Sequence, residues 1–241
     1  MPIFLLGPDP DVFPPPEKAD RSGILAVGGD LQPRRLLAAY SKGIFPWYSE
    51  GQPILWHTPN PRFVLEPPKV HVGRSLRKQL KRESFEIRFD SAYAEVIDGC
   101  AETMRPNQNG TWITSDMRAA YIQLHRMGYV HSVEAWVDGQ LAGGLYGLSL
   151  GRVFFGESMF ARMADASKVA FAHACAHFLH WGFTLIDCQQ ETAHLERFGA
   201  EAWPRKKFME ALSEGLRGPT KLGPWKKELS TEQVLQTLPK E

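Results

Sequence analysis

A chain of 241 residues, 43% hydrophobic and 23% charged, has the size and make-up of one large globular domain or of a domain with a smaller partner. Its formal net charge of +1 excludes a uniformly basic coat for nucleic acid, so any anion-binding surface must be local. Three cysteines (Cys100, Cys175 and Cys188) without a C-x-x-C spacing indicate neither a disulfide framework nor a structural zinc site. No run has transmembrane length and the N-terminus lacks the layout of a signal peptide, so a cytoplasmic protein with no membrane partner is expected.

Residues 1–65 are dense in proline and aromatics, in Phe13-Pro-Pro-Pro16, Phe45-Pro-Trp-Tyr48 and Trp56-His-Thr-Pro-Asn-Pro61. Proline confines itself and its predecessor to extended or turn geometry. A small irregular N-terminal domain follows, with a short helix from Arg34 to Lys42 ended by Gly43. Its Trp47 and Tyr48 read either as packing aromatics or as a platform for a flat ligand. The main domain spans residues 66–216. It opens with a helix over Val72 to Arg82, where Val72, Leu76 and Leu80 form an apolar stripe. Arg74, Arg77, Lys78, Lys81 and Arg82 form the opposite stripe, which is either a solvated face or a site for phosphates.

Ser115 to Met127 predicts an amphipathic helix closed by Gly128. Two strands, Ser132–Val137 and Gln140–Ser149, meet at the hairpin turn Asp138-Gly139. Gly151-Arg152 then leads into a third strand, Arg152 to Phe160, apolar except for Glu157. A helix capped by Asp165 or Ser167 runs to His180 and ends at Gly182, with Phe171, Ala174 and Phe178 on one wall. Thr184 to Gln189 is the next strand. Alternation puts Asp187 and Gln189 on one face. Pro204 to Leu216 reads as the last helix, and residues 217–241 as an extended, partly ordered tail.

A lone carboxylate in an apolar strand is costly unless a cation meets it, so Glu157 predicts a bound positive group. Strand, crossover helix and strand bring Glu157 and Asp187 near the carboxyl ends of neighbouring strands, where α/β sheets bind ligands. His173, His177 and His180 share a helix face but lack an acidic or cysteine companion, and no metal site is expected there.

The element order (helix, three antiparallel strands, helix, strand, helix) resembles the fold of the GCN5-related acetyltransferases. The expected class is therefore α+β: a small N-terminal domain plus an acetyltransferase-like domain with a mixed sheet flanked by helices. Six motifs in register resemble a more specific family. These are Gly28-Gly-Asp-Leu31, Gly43-Ile-Phe-Pro-Trp47, Gly110-Thr-Trp-Ile-Thr114, Phe155-Gly-Glu-Ser-Met-Phe160, Ala166-Ser-Lys168 and Leu185-Ile-Asp-Cys-Gln189. Together they resemble the leucyl/phenylalanyl-tRNA–protein transferases.

The resemblance implies an aminoacyltransferase that moves Leu or Phe from tRNA to the amine of a protein beginning with Arg or Lys, a tag for regulated proteolysis. It implies no cofactor, and a monomer is expected. Carried over, Asp187 and Gln189 prepare the amine and Glu157 recognises a cation. Trp47 and Trp112, with Tyr121 nearby, stack on the terminal adenosine. The apolar pocket draws on Leu145, Phe154, Met159, Phe171, Phe178 and Ile186, and the basic stripe from Arg74 to Arg82 holds tRNA phosphates. Two rivals are an acetyl-CoA-dependent N-acetyltransferase and a non-enzymatic RNA- or peptide-binding module. The first needs a glycine-rich pyrophosphate turn, and Ala161-Arg-Met-Ala-Asp-Ala-Ser167 has no glycine.

Overall fold

The structure, a computed structural model, describes residues 3–103 and 111–240. Gly110 of the Gly110–Thr114 motif lies outside them. The proline-rich N-terminal stretch folds on a four-stranded sheet in the order β1-β2-β4-β3. Its strands are β1 (Phe4–Leu5), β2 (Ile24–Val27), β3 (Phe45–Pro46) and β4 (Leu55–His57), and helix α1 (Pro33–Tyr40) lies between β2 and β3. Pro33 starts α1, where its fixed φ suits a first turn and its missing N–H is no loss. After α1 the chain turns at Gly43, with φ +69, where a Cβ would meet Phe208 Cε1 at 2.8 Å. Only glycine fits that turn.

The larger unit is a seven-stranded mixed sheet, ordered β11-β5-β10-β9-β8-β7-β6. In chain order its elements are β5 (Arg62–Leu65), α2 (Arg74–Lys81), β6 (Glu86–Phe89), α3 (Tyr93–Glu102), α4 (Ser115–Arg126), β7 (Val130–Val137), β8 (Gln140–Leu150), β9 (Val153–Ala161), α5 (Ala166–His180), β10 (Leu185–Gln189), α6 (Ala193–Glu196), β11 (Glu201–Trp203) and α7 (Arg205–Leu216). The α+β class and the expected order of helix, three antiparallel strands, helix, strand and helix are both present, in α4, β7, β8, β9, α5, β10 and α7. The Asp138-Gly139 turn has positive φ at both residues, the twist a two-residue hairpin needs. Thr114 caps α4 by accepting from Met117 N–H at 3.3 Å.

Three expectations change. β5 pairs with β10 and β11, so residues 62–65 belong to the larger sheet rather than to an N-terminal domain ending at 65. Asp165 takes a left-handed conformation before α5 and makes no side-chain cap. Residues 217–240 are no extended tail, because Trp225, Leu229, Val234 and Leu238 are all buried. The segment ends in helix α8 (Thr231–Thr237), started by a Ser230/Gln233 capping box.

The sheet separates two apolar layers. One packs the N-terminal sheet, α1, α3, α4 and α7 against it, and the other packs α2, α5 and α8. Among the described residues no helix is long and apolar enough to cross a membrane.

Candidate active site

The site forms where two parallel strands part. β9 and β10 are paired from Val153↔Leu185 to Phe155↔Asp187, and β9 continues to Ala161 with no further pairing to β10. A cavity of about 520 Å³ occupies this fork. Leu145, Phe154, Met159, Phe171 and Ile186 give it apolar walls, and Trp47 and Trp112 line it together with Phe45 and Pro46. Seven of the nine expected substrate-binding residues therefore meet in one space.

The other two do not reach it. Phe178 lies two helical turns beyond Phe171 on α5 and packs deep in the core, 4.6 Å from the Phe154 ring and 6.0 Å from Trp225. Tyr121 is fully buried behind the wall, where its hydroxyl bonds to Glu157 and Tyr40 rather than stacking on a ligand.

Glu157 sits in a β-bulge. Tyr146 faces Ser158 and Gly147 faces Gly156, so Glu157 has no partner across the ladder. Such an extra residue re-aims its side chain. Three neutral groups hold the carboxylate: Tyr40 Oη donates at 2.6 Å, Gln189 Nε2 at 3.0 Å and Tyr121 Oη at 3.4 Å. Burial, with the nearby Asp187 charge adding to it, pushes the Glu157 carboxyl up to about 7 against the pull of these bonds. Burial and the Glu157 charge together keep Tyr40 and Tyr121 as phenols, with pKa values well above ordinary. They remain donors.

A second bulge shapes β10. Asp187 faces Val64 and Gln189 faces Phe63, leaving Cys188 as the extra residue, and Gln189 adopts φ +62. Strict alternation is lost. Gln189 lines the cavity and Asp187 does not. Asp187 is fully buried against Arg62, which donates from Nε at 2.8 Å and from Nη2 at 2.7 Å. Its carboxylate faces a protein cation behind the wall, not the open space expected from the sequence. Cys188 lines the cavity too, but burial raises its thiol well above the ordinary range, so it offers no thiolate nucleophile.

The basic helix α2 presents Arg74, Lys78, Lys81 and Arg82 on its exposed side. Arg77 departs from the stripe. It is half-buried and donates to the carbonyls of Val72 at 3.0 Å, Leu235 at 3.4 Å and Pro239, tying α2 to the C-terminal segment. The histidine stripe also has another use. His177 Nδ1 lies 2.8 Å from the His173 carbonyl, and Nε2 accepts from the N–H groups of Glu228 and Leu229 at 3.1 and 3.2 Å. Burial lowers its pKa to about 4, which keeps that nitrogen an acceptor.

Sequence reasoning missed Tyr40, Arg62 and Phe45. For Arg62 a signal was present: a charge heading the apolar run Arg62-Phe-Val-Leu65, the same mark that singled out Glu157.

The family described as leucyl/phenylalanyl-tRNA protein transferase matches residues 64–213, and the family describing its N-terminal domain matches residues 29–60. The leucyl/phenylalanyl-tRNA–protein transferase of Myxococcus xanthus is 62% identical over 226 residues, covering 93% of this chain and 97% of its own. That of Nitratidesulfovibrio vulgaris is 51% identical over 94% and 97% of the two chains, and that of Aromatoleum aromaticum 54% over 91% and 93%. With relatives aligned nearly end to end and both family regions matched in order, this chain belongs to the leucyl/phenylalanyl-tRNA–protein transferase family.

Proposed function

We propose that the protein transfers leucine or phenylalanine from the 3′ end of its charged tRNA to the α-amine of proteins that begin with Arg or Lys. The observation that carries this reading is the fork cavity itself, an apolar space that ends on the Glu157–Gln189 pair. An aminoacyl ester is already activated, so the amine can attack its carbonyl directly. A C–N bond forms, the ester C–O bond breaks, and the ribose oxygen leaves with a proton. The protein's tasks are to orient both partners and stabilise the tetrahedral oxyanion. No covalent enzyme intermediate is required, in keeping with the inert Cys188.

Leu or Phe would fill the space among Leu145, Phe154, Met159, Phe171 and Ile186, with the terminal adenosine stacked by Trp47 and Trp112. Glu157 would take the acceptor's cation. A guanidinium or ammonium there draws the carboxyl down from about 7 and holds it ionised. Gln189, a neutral amide, would orient the incoming amine. Arg74, Lys78, Lys81 and Arg82 would meet acceptor-stem phosphates, a contact that reads shape and charge rather than sequence. Such tagging would mark its targets for degradation in a cytoplasmic setting.

The test is transfer of labelled Phe or Leu from charged tRNA to a peptide beginning with Arg, compared with one beginning with Ala. Efficient transfer to the Arg peptide alone is the expected result. Transfer to neither, or acetylation of the same peptide from acetyl-CoA, would overturn the reading.

A further inference from the structure

Arg62 lies on β5, a strand away from the cavity, and is 1% exposed against a fully buried Asp187. Its guanidinium is held between two rings, with Cζ 4.7 Å from the centroid of Phe45 and 4.7 Å from that of Phe208. The rings fix the plane of the guanidinium, and the guanidinium fixes both oxygens of Asp187. Asp187 Oδ1 has a second task, since it accepts from the backbone N–H of Gln189 at 2.9 Å. That N–H sits at the β10 bulge, where Gln189 takes a left-handed φ that a residue with a side chain adopts only when its surroundings enforce it. From that backbone the Gln189 side chain reaches Glu157.

We infer that Arg62 is a positioning residue for the transfer reaction: through Asp187 it locks the left-handed backbone of Gln189 and so sets the direction of the amide that faces the reacting centre. Asp187, paired and shut behind the wall, serves this strut rather than substrate. Lysine cannot replace the arginine, because one ammonium cannot hold two carboxylate oxygens in a fixed plane. Phe45 both lines the cavity and stacks on Arg62, so the strut stands directly behind the cavity wall.

The inference rests on the proposed transfer, and the experiment separates the two. Arg62→Met alone strands a buried carboxylate and is expected to unfold the chain. The informative variant is the double substitution Arg62→Met with Asp187→Leu, an apolar exchange of a buried pair that folds commonly tolerate. In that folded variant kcat for transfer is expected to fall about 10²-fold, with KM for both substrates and the affinity for an unreactive aminoacyl-adenosine changing by less than about threefold. Arg62→Met with Asp187→Asn, which keeps an acceptor for the Gln189 N–H, is expected to recover about tenfold of that loss. Wild-type kcat in the folded apolar double variant would overturn the inference. So would a loss of aminoacyl-adenosine binding equal to the loss in rate, which would mean a collapsed cavity. Hydrogen exchange reads the strut without any activity. The Gln189 amide should be protected in wild type and exchange faster once both members of the pair are apolar, and equal exchange in the two proteins would sink the strut even if transfer proceeds.

Discussion

Glu157 carries its charge at a cost that three neutral donors only partly offset. Its carboxyl titrates near 7 in the fold against an ordinary 4.5, so folding takes up a proton between those values and stability falls as pH rises through the window. Glu157→Gln is therefore expected to raise stability by on the order of 2–3 kcal/mol at pH 8 and to change little near pH 4, as urea unfolding at the two pH values would show. The same variant should lower transfer to an Arg-initiated peptide. It should also remove the acid limb, near pH 7, from kcat/KM for that peptide, because kcat/KM reports the free enzyme's groups. Tyr40→Phe deletes the 2.6 Å donor and should move this acid limb upward by about one pH unit. A limb that stays in place would show that Tyr40 has no part in setting the charge on Glu157.

The two bulges explain what could and could not be read in the sequence at the scale of strands and helices. Apolar runs, caps and the Asp138-Gly139 turn located α4, β7, β8, β9, α5 and β10 because they are local signals. Alternation then failed at Cys188, where an extra residue breaks the two-residue period and sends Asp187 to Arg62 and Gln189 to the cavity. Proline density placed Arg62 with the N-terminal residues, yet its strand crosses into the larger sheet, a long-range pairing that composition cannot report. Helical spacing put Phe171 and Phe178 on one wall, but only depth along α5 decides which meets the cavity. On α2 the stripe was legible and the commitment of Arg77 to the C-terminal segment was not. Reversing two exposed charges, Lys78→Glu with Lys81→Glu, should weaken tRNA binding and reduce the slope of log affinity against log salt by about two. Unchanged affinity at low salt would remove α2 from the RNA contact.

At the scale of the whole molecule the C-terminal segment completes the layer that α5 begins. Trp225 is 2% exposed and stacks on His131 at 3.7 Å between ring centroids, and its backbone N–H donates to Asp90 at 2.6 Å. Trp225→Ala should cost about 3–5 kcal/mol of stability, measured by chemical denaturation, while leaving kcat of the folded fraction near wild type. A loss under about 1 kcal/mol would show that the site collapses or that the segment contributes little. One short run of chain, from Tyr40 to Trp47, ties the N-terminal sheet to the cavity and the residues around it. Tyr40 reaches Glu157, Gly43 turns against Phe208, Phe45 stacks on Arg62, and Trp47 lines the cavity. Each of these anchors is set by its count along the chain as much as by its identity. Adding or removing one residue between 41 and 46 would dephase the lot, so this run works as a ruler: its letters can vary at the gaps, its length cannot.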